Sequence, residues 1–74
     1  MTLMQAPLNR TLVLVGSTLD ATQARRLSAL GLRAGAQLRL VQRLAGGARV
    51  VAVAGARVAL GASLLDRLTV EAAA

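Results

Sequence analysis

Seventy-four residues bound this chain to one small domain, a size that buries only about 60% of the surface exposed when unfolded. Cysteine, histidine and all three aromatic residues are absent. That excludes disulfides, thiolate or imidazole metal sites and an aromatic core, and leaves Leu, Val and Ala to fill the interior. Nine arginines against Asp20, Asp66 and Glu71 give a net charge of +6. Such a balance favours anionic partners, although arginine and alanine richness is also what a biased genome composition produces.

Residues 1–10 hold the one proline, Pro7, and no clear period, so they read as a loose leader. A β-rich run follows at 11–15 and ends at Gly16. Ser17 with Asp20 has the spacing of a capping box, and Asp20 with Gln23 repeats it less well. A helix is expected over about 20–30, with Ala24, Leu27 and Leu30 as its apolar line and Thr22, Arg25, Arg26 and Ala29 outside. Gly31 stands where a left-handed residue ends a helix, and Leu32 can pack back on the last turn. Gly35 then lets the chain turn into a strand.

From residue 36 the period changes to two. Ala36, Leu38 and Leu40 share one face; Gln37, Arg39, Val41 and Arg43 share the other. After a turn at Gly46 and Gly47, residues 49–55 are apolar on both faces and read as the most buried strand. Residues 56–60 alternate again, with Arg57 outward and Val58 opposite. A turn or single helical turn at 61–67 precedes a last short strand at 68–71, and 72–74 form a tail. Strand, helix and four more strands make a mainly β domain: a small, partly open barrel on an aliphatic core, its one helix inserted after the first strand and capping one end.

The apolar runs at 12–16 and 50–56 fall far short of the ~20 residues that span a bilayer. The first ten residues lack the charged start and long apolar stretch of a secretory signal, so a cytoplasmic location is expected.

The stretch RRLSALGLRAGAQLRLV, from Arg25 to Val41, resembles the signature of the FeoA family of ferrous iron transport proteins. The matching positions are Arg26, Leu27, Leu30, Gly31, Leu32 and Gly35. A second family signature, a glycine, a strand ending in Ala-Leu and a closing aliphatic strand, is matched by Gly55, Ala59, Leu60, Leu68 and Val70. Together these cover residues 12–71. The resemblance implies an SH3-like barrel over residues 11–71. It also implies a small cytoplasmic accessory that binds and modulates the cytoplasmic part of FeoB, the GTPase-containing ferrous iron permease, and is recruited by it to the inner membrane. The same fold serves as the C-terminal domain of DtxR-type metal-dependent repressors, so a stand-alone regulatory module is the alternative. Two positions depart from the family: LAGGA stands where a polar pair is usual between the second and third strands, and Gly61 where a basic residue often follows Ala-Leu. Both bear on partner contacts rather than on the fold.

The inventory for catalysis is poor. Asp20 reads as a helix cap, Asp66 as a turn residue and Glu71 as a solvated strand end, while Ser17, Ser28 and Ser63 have no base. No cofactor is expected. Iron(II) would want imidazole or clustered carboxylates, and the glycines lack the Gly-Lys-Ser/Thr ending of a phosphate-binding loop, so no nucleotide is expected either. Arginines remain. Arg39, Arg43, Arg49 and Arg57 are expected on outward positions of successive strands, joined by Arg26 and Arg33 from the helix and the turn after it. Such a stripe is either a solvated face or a surface for carboxylates, which arginine grips bidentately. A basic nucleic-acid-binding barrel would use the same stripe but lacks aromatic platforms for bases. Weak self-association through an edge strand is a further expectation.

Overall fold

Alternating Leu and Val build five antiparallel strands: β1 Leu12–Ser17, β2 Gln37–Arg43, β3 Arg49–Val53, β4 Ala56–Leu60 and β5 Leu68–Ala72. The computed structural model describes residues 1–73; residue 74, the end of the expected tail, lies outside the described residues. The strands form one sheet in the order β4-β3-β2-β1-β5. Helix α1, Ala21–Ala29, crosses from β1 to β2, and a four-residue helix α2, Ala62–Leu65, joins β4 to β5. Leu12 and Leu14 of β1, Leu38 and Leu40 of β2, Val51 and Val53 of β3, Leu60 of β4, and Leu68 and Val70 of β5 all point into one core. Each such side chain contributes roughly 1.5–3 kcal/mol on burial.

Local chemistry explains both ends of α1. Asp20, not Ser17, is the cap: its carboxylate accepts from the Gln23 backbone N–H at 2.8 Å. At the other end Leu32 N–H reaches Leu27 O at 2.9 Å and Gly31 N–H reaches Ser28 O at 3.0 Å. These paired bonds satisfy the last carbonyls of a helix closed by a left-handed residue, here Gly31 at φ 95°. A Cβ on Gly31 would also meet the Ala54 Cβ at 2.9 Å. The closing turn then delivers Leu32 to the core, 3% exposed. Leu30, expected on the apolar line, is 44% exposed, because the helix ends before its last turn can roll that position inward.

The five strands expected of a partly open barrel form one sheet; β4 and β5 are its edges, and among the described residues no strand pairing joins them. Three further expectations are corrected. The first ten residues are not a loose leader. Leu3, in a 3-10 turn at Leu3–Gln5, is fully buried, and Ala6 is 4% exposed. This segment runs beside β5, where Thr2 bridges Thr69 and Val70 N–H donates to Met1 O at 2.8 Å. Asn9 N–H then donates to Leu40 O at 2.7 Å, at the bulge in β2. Finally, β3 is fully buried on one face only, with Val50 and Ala52 half-exposed on the other. The expected tail also begins inside the sheet, since β5 extends to Ala72.

Candidate functional site

Strand register decides which arginines meet. In β2, Leu38 and Leu40 face the core, so Gln37 and Arg39 face outward. Arg39 lies opposite Ala52 of β3, and Ala52 lies opposite Arg57 of β4. One row across three strands therefore reads Arg39, Ala52, Arg57, with both arginines exposed. At an interstrand spacing of 4.7–4.9 Å their Cα atoms stand about 10 Å apart. The alanine between them leaves the floor low, and the result is an open depression of about 420 Å³. Thr11 and Gln37 lie at its margin, and the Ala54–Gly55 turn of the β3–β4 hairpin lines another part.

That turn is a two-residue hairpin loop with both φ values positive, 51° at Ala54 and 77° at Gly55. Such loops match the right-handed twist of the flanking strands. Glycine takes the conformation freely, whereas alanine is strained by about 1–2 kcal/mol. The Ala54 Cβ stands 2.9 Å from where a Cβ on Gly31 would lie, which places Ala54 beside the closing turn of α1.

Arg43 and Arg49 do not join this row. The register shift between Leu40 and Gln42 places Arg43 opposite Arg49, and Arg49 shares the inward face of Val51 and Val53. Arg49 is half-buried and donates from Nη2 to Met4 O at 3.3 Å and to Met4 Sδ at 3.6 Å; its Nε is buried without a partner. It ties the N-terminal segment to β3 rather than facing solvent. Arg26 is exposed on α1, and Arg33 lies beyond the helix. Arg33 and Arg25 rim a second cleft of about 400 Å³ between α1 and β1, lined by Leu14, Leu19, Leu27 and Leu32. The expected stripe is thus a two-arginine row with the other arginines dispersed. A strand apolar on both faces hid the parity of Arg49, and an uncoded bulge reversed that of Arg43. The part played by Ala52 carries no signal of its own in the sequence, because it depends on its neighbours in the sheet.

The three acids lie apart from the row's centre. Asp20 caps α1, Asp66 ends α2, and Glu71 sits opposite Val13 on β5. Among the described residues no three His, Cys, Asp or Glu side chains cluster as metal ligands. No helix among them is long and apolar enough to cross a membrane.

Comparison with known proteins gives a consistent result. The FeoA domain family model matches residues 1–72. A crystal structure of Stenotrophomonas maltophilia FeoA complexed with zinc is 34% identical, with a TM-score of 0.78 over 96% of this chain and 89% of that one; it is described as a prokaryotic SH3 domain protein and a candidate activating factor for ferrous iron transport. FeoA from Chlorobium tepidum superposes with a TM-score of 0.91 at 23% identity, over 100% of this chain and 71% of that one. A manganese-dependent transcriptional repressor shares the fold at 22% identity and a TM-score of 0.85, with 99% of this chain covering 41% of the repressor. A search of curated protein sequences found no match.

Proposed function

The chain belongs to the FeoA domain family, an accessory family linked to ferrous iron transport, and from that premise we propose that it binds the cytoplasmic part of a FeoB-type permease and modulates transport without catalysis of its own. The observation that carries this reading is the family match over residues 1–72. Arg39 and Arg57 are the leading contact residues; Arg26, Arg33 and Arg43 are exposed and add long-range attraction. Arg49 supports the fold instead, through Met4. Gly31, Leu32 and Gly35 act by shaping the domain.

Magnitudes set the character of the interaction. Exposed ion pairs contribute about 0.2–1 kcal/mol each, so two or three of them give a reversible, salt-sensitive association. That suits an accessory that engages and leaves, and ferrous iron is then the permease's cargo rather than a ligand of this chain.

The test is a pull-down against the full-length permease in detergent and against its soluble GTPase domain. Binding that weakens with salt is the expected result. Absence of binding to both, by protein with a native circular dichroism spectrum, rejects the reading. The repressor's fold likeness makes a regulatory module acting on a transcription factor the second reading, to be tested by the same pull-down with that factor.

A further inference from the structure

We propose that Arg39 and Arg57 form a clamp over Ala52 that takes one exposed Asp or Glu side chain of a partner protein. This deepens the accessory reading by naming the contact face and the recognised group, and it rests on that reading for the partner's identity.

Position comes first. The two arginines flank Ala52 in a single cross-strand row, and about 10 Å between Cα atoms lets both flexible stems lean inward over the alanine. A carboxylate placed there meets two guanidinium forks, each offering parallel N–H donors to its oxygens. A larger residue at 52 would occupy that space.

Charge is the second support. Among the described residues, the guanidiniums that hydrogen-bond within the chain are those of Arg49 and Arg67. Arg39 and Arg57 are exposed and available. Glu71 shares the outer face, in a row with Val13 and Gln37. It stands two strands from β2 and a further two residues along from Arg39, roughly 12 Å by strand spacing and rise. Between Cα atoms that exceeds a screening length of ~8 Å at physiological salt, so at that separation Glu71 offsets the clamp's charge only weakly.

The third support is rigidity. The cleft is bounded by the hairpin turn whose Ala54 is held at positive φ against Gly31. A platform fixed in advance loses less freedom when it binds.

Two cations on one face suit a single carboxylate better than a polyanion. A nucleic acid backbone is followed by a groove of successive cations with stacking aromatics. Here Arg43 and Arg49 lie at the far end of β2 and β3 on the opposite parity, and the chain has no aromatic residue.

The experiment is an amide NMR titration of the full chain with hexaglutamate at low ionic strength, compared with inorganic phosphate and a thymidine oligonucleotide. The expected shifts centre on Arg39, Ala52 and Gly55. The Arg39→Gln/Arg57→Gln pair weakens hexaglutamate about tenfold, as two lost surface ion pairs would. Arg25→Gln/Arg67→Gln, which removes the same charge at exposed positions away from the row, changes it less than about twofold. Ala52→Met keeps every charge and still weakens the peptide several-fold. Equal losses in the two double variants overturn the clamp, as does phosphate or oligonucleotide binding at Ala52 as tight as the peptide. Permease binding that survives Arg39→Gln/Arg57→Gln overturns the clamp and leaves the accessory reading standing. Hexaglutamate seated on Ala52 with no permease binding does the reverse.

Discussion

Leu27 and Leu32 at the end of α1, and Leu3 in the N-terminal segment, do the same work: each seals the aliphatic core beside the sheet. They are held by different kinds of contact. Leu27 and Leu32 are joined by a backbone bond across five residues, closed by Gly31 within the same turn. Leu3 depends on groups far away in the chain: Val70 beside Met1, Thr69 beside Thr2 and Arg49 beside Met4. One seal is built by its own neighbourhood, and the other exists only when the rest of the sheet does. The α1 seal should therefore tolerate damage elsewhere, while the Leu3 seal should fail together with the whole fold.

That contrast can be broken or sharpened by substitution, read in urea denaturation unless stated. Leu3→Ala is expected to cost the most, toward the top of the 2–5 kcal/mol range for buried leucines, because the side chain is fully buried. Against a total near the low end of 5–15 kcal/mol, much of the protein should then be unfolded; a stable Leu3→Ala would mean the segment is not part of the core. Leu27→Ala, at 6% exposure, should fall lower in that same range, and melting curves would rank the two. Gly31→Ala combines a positive φ with the 2.9 Å approach to Ala54, and should lose about 1–3 kcal/mol; no loss would show that the hairpin and the helix end are not pressed together. Asp20→Ala removes one cap bond, worth about 1 kcal/mol, and should lower helicity by circular dichroism before it lowers the global midpoint. Leu30→Ala should change stability by less than about 0.5 kcal/mol, since that side chain is 44% exposed. A large effect there would restore it to the core.

The same division governs how far the residues announce their structure. The α1 boundaries, Gly31, Gly35 and the strand order in the chain are visible in residue types, because capping, left-handed turns and period two act over a few positions. Leu3 is different. Nothing between Met1 and Arg10 marks it as buried, since the groups that hold its segment lie 45 to 69 residues on. The row Arg39, Ala52, Arg57 falls between these cases. Alternation turns Arg39 and Arg57 outward, but only the register makes them neighbours. Arg43 is turned by a single extra residue in β2 that no composition signals, and the parity of Arg49 is hidden by the apolar run of β3. The edges of the sheet are likewise not coded locally: the N-terminal segment lies beside β5, and among the described residues no strand pairing joins β5 to β4.

The link between Met1 and Val70, sixty-nine positions apart, bears on how the molecule is made. A ribosome adds roughly 5–20 residues each second and releases them in order. Leu3, Leu12 and Leu14 thus emerge first, yet the strand that covers them, β5, emerges last. For several seconds those leucines have no native neighbour on that side, while α1 and its closing turn can already form. Folding of this chain is consequently completed after synthesis of its final strand rather than during it, and the exposed interval is when the nascent chain most needs shielding.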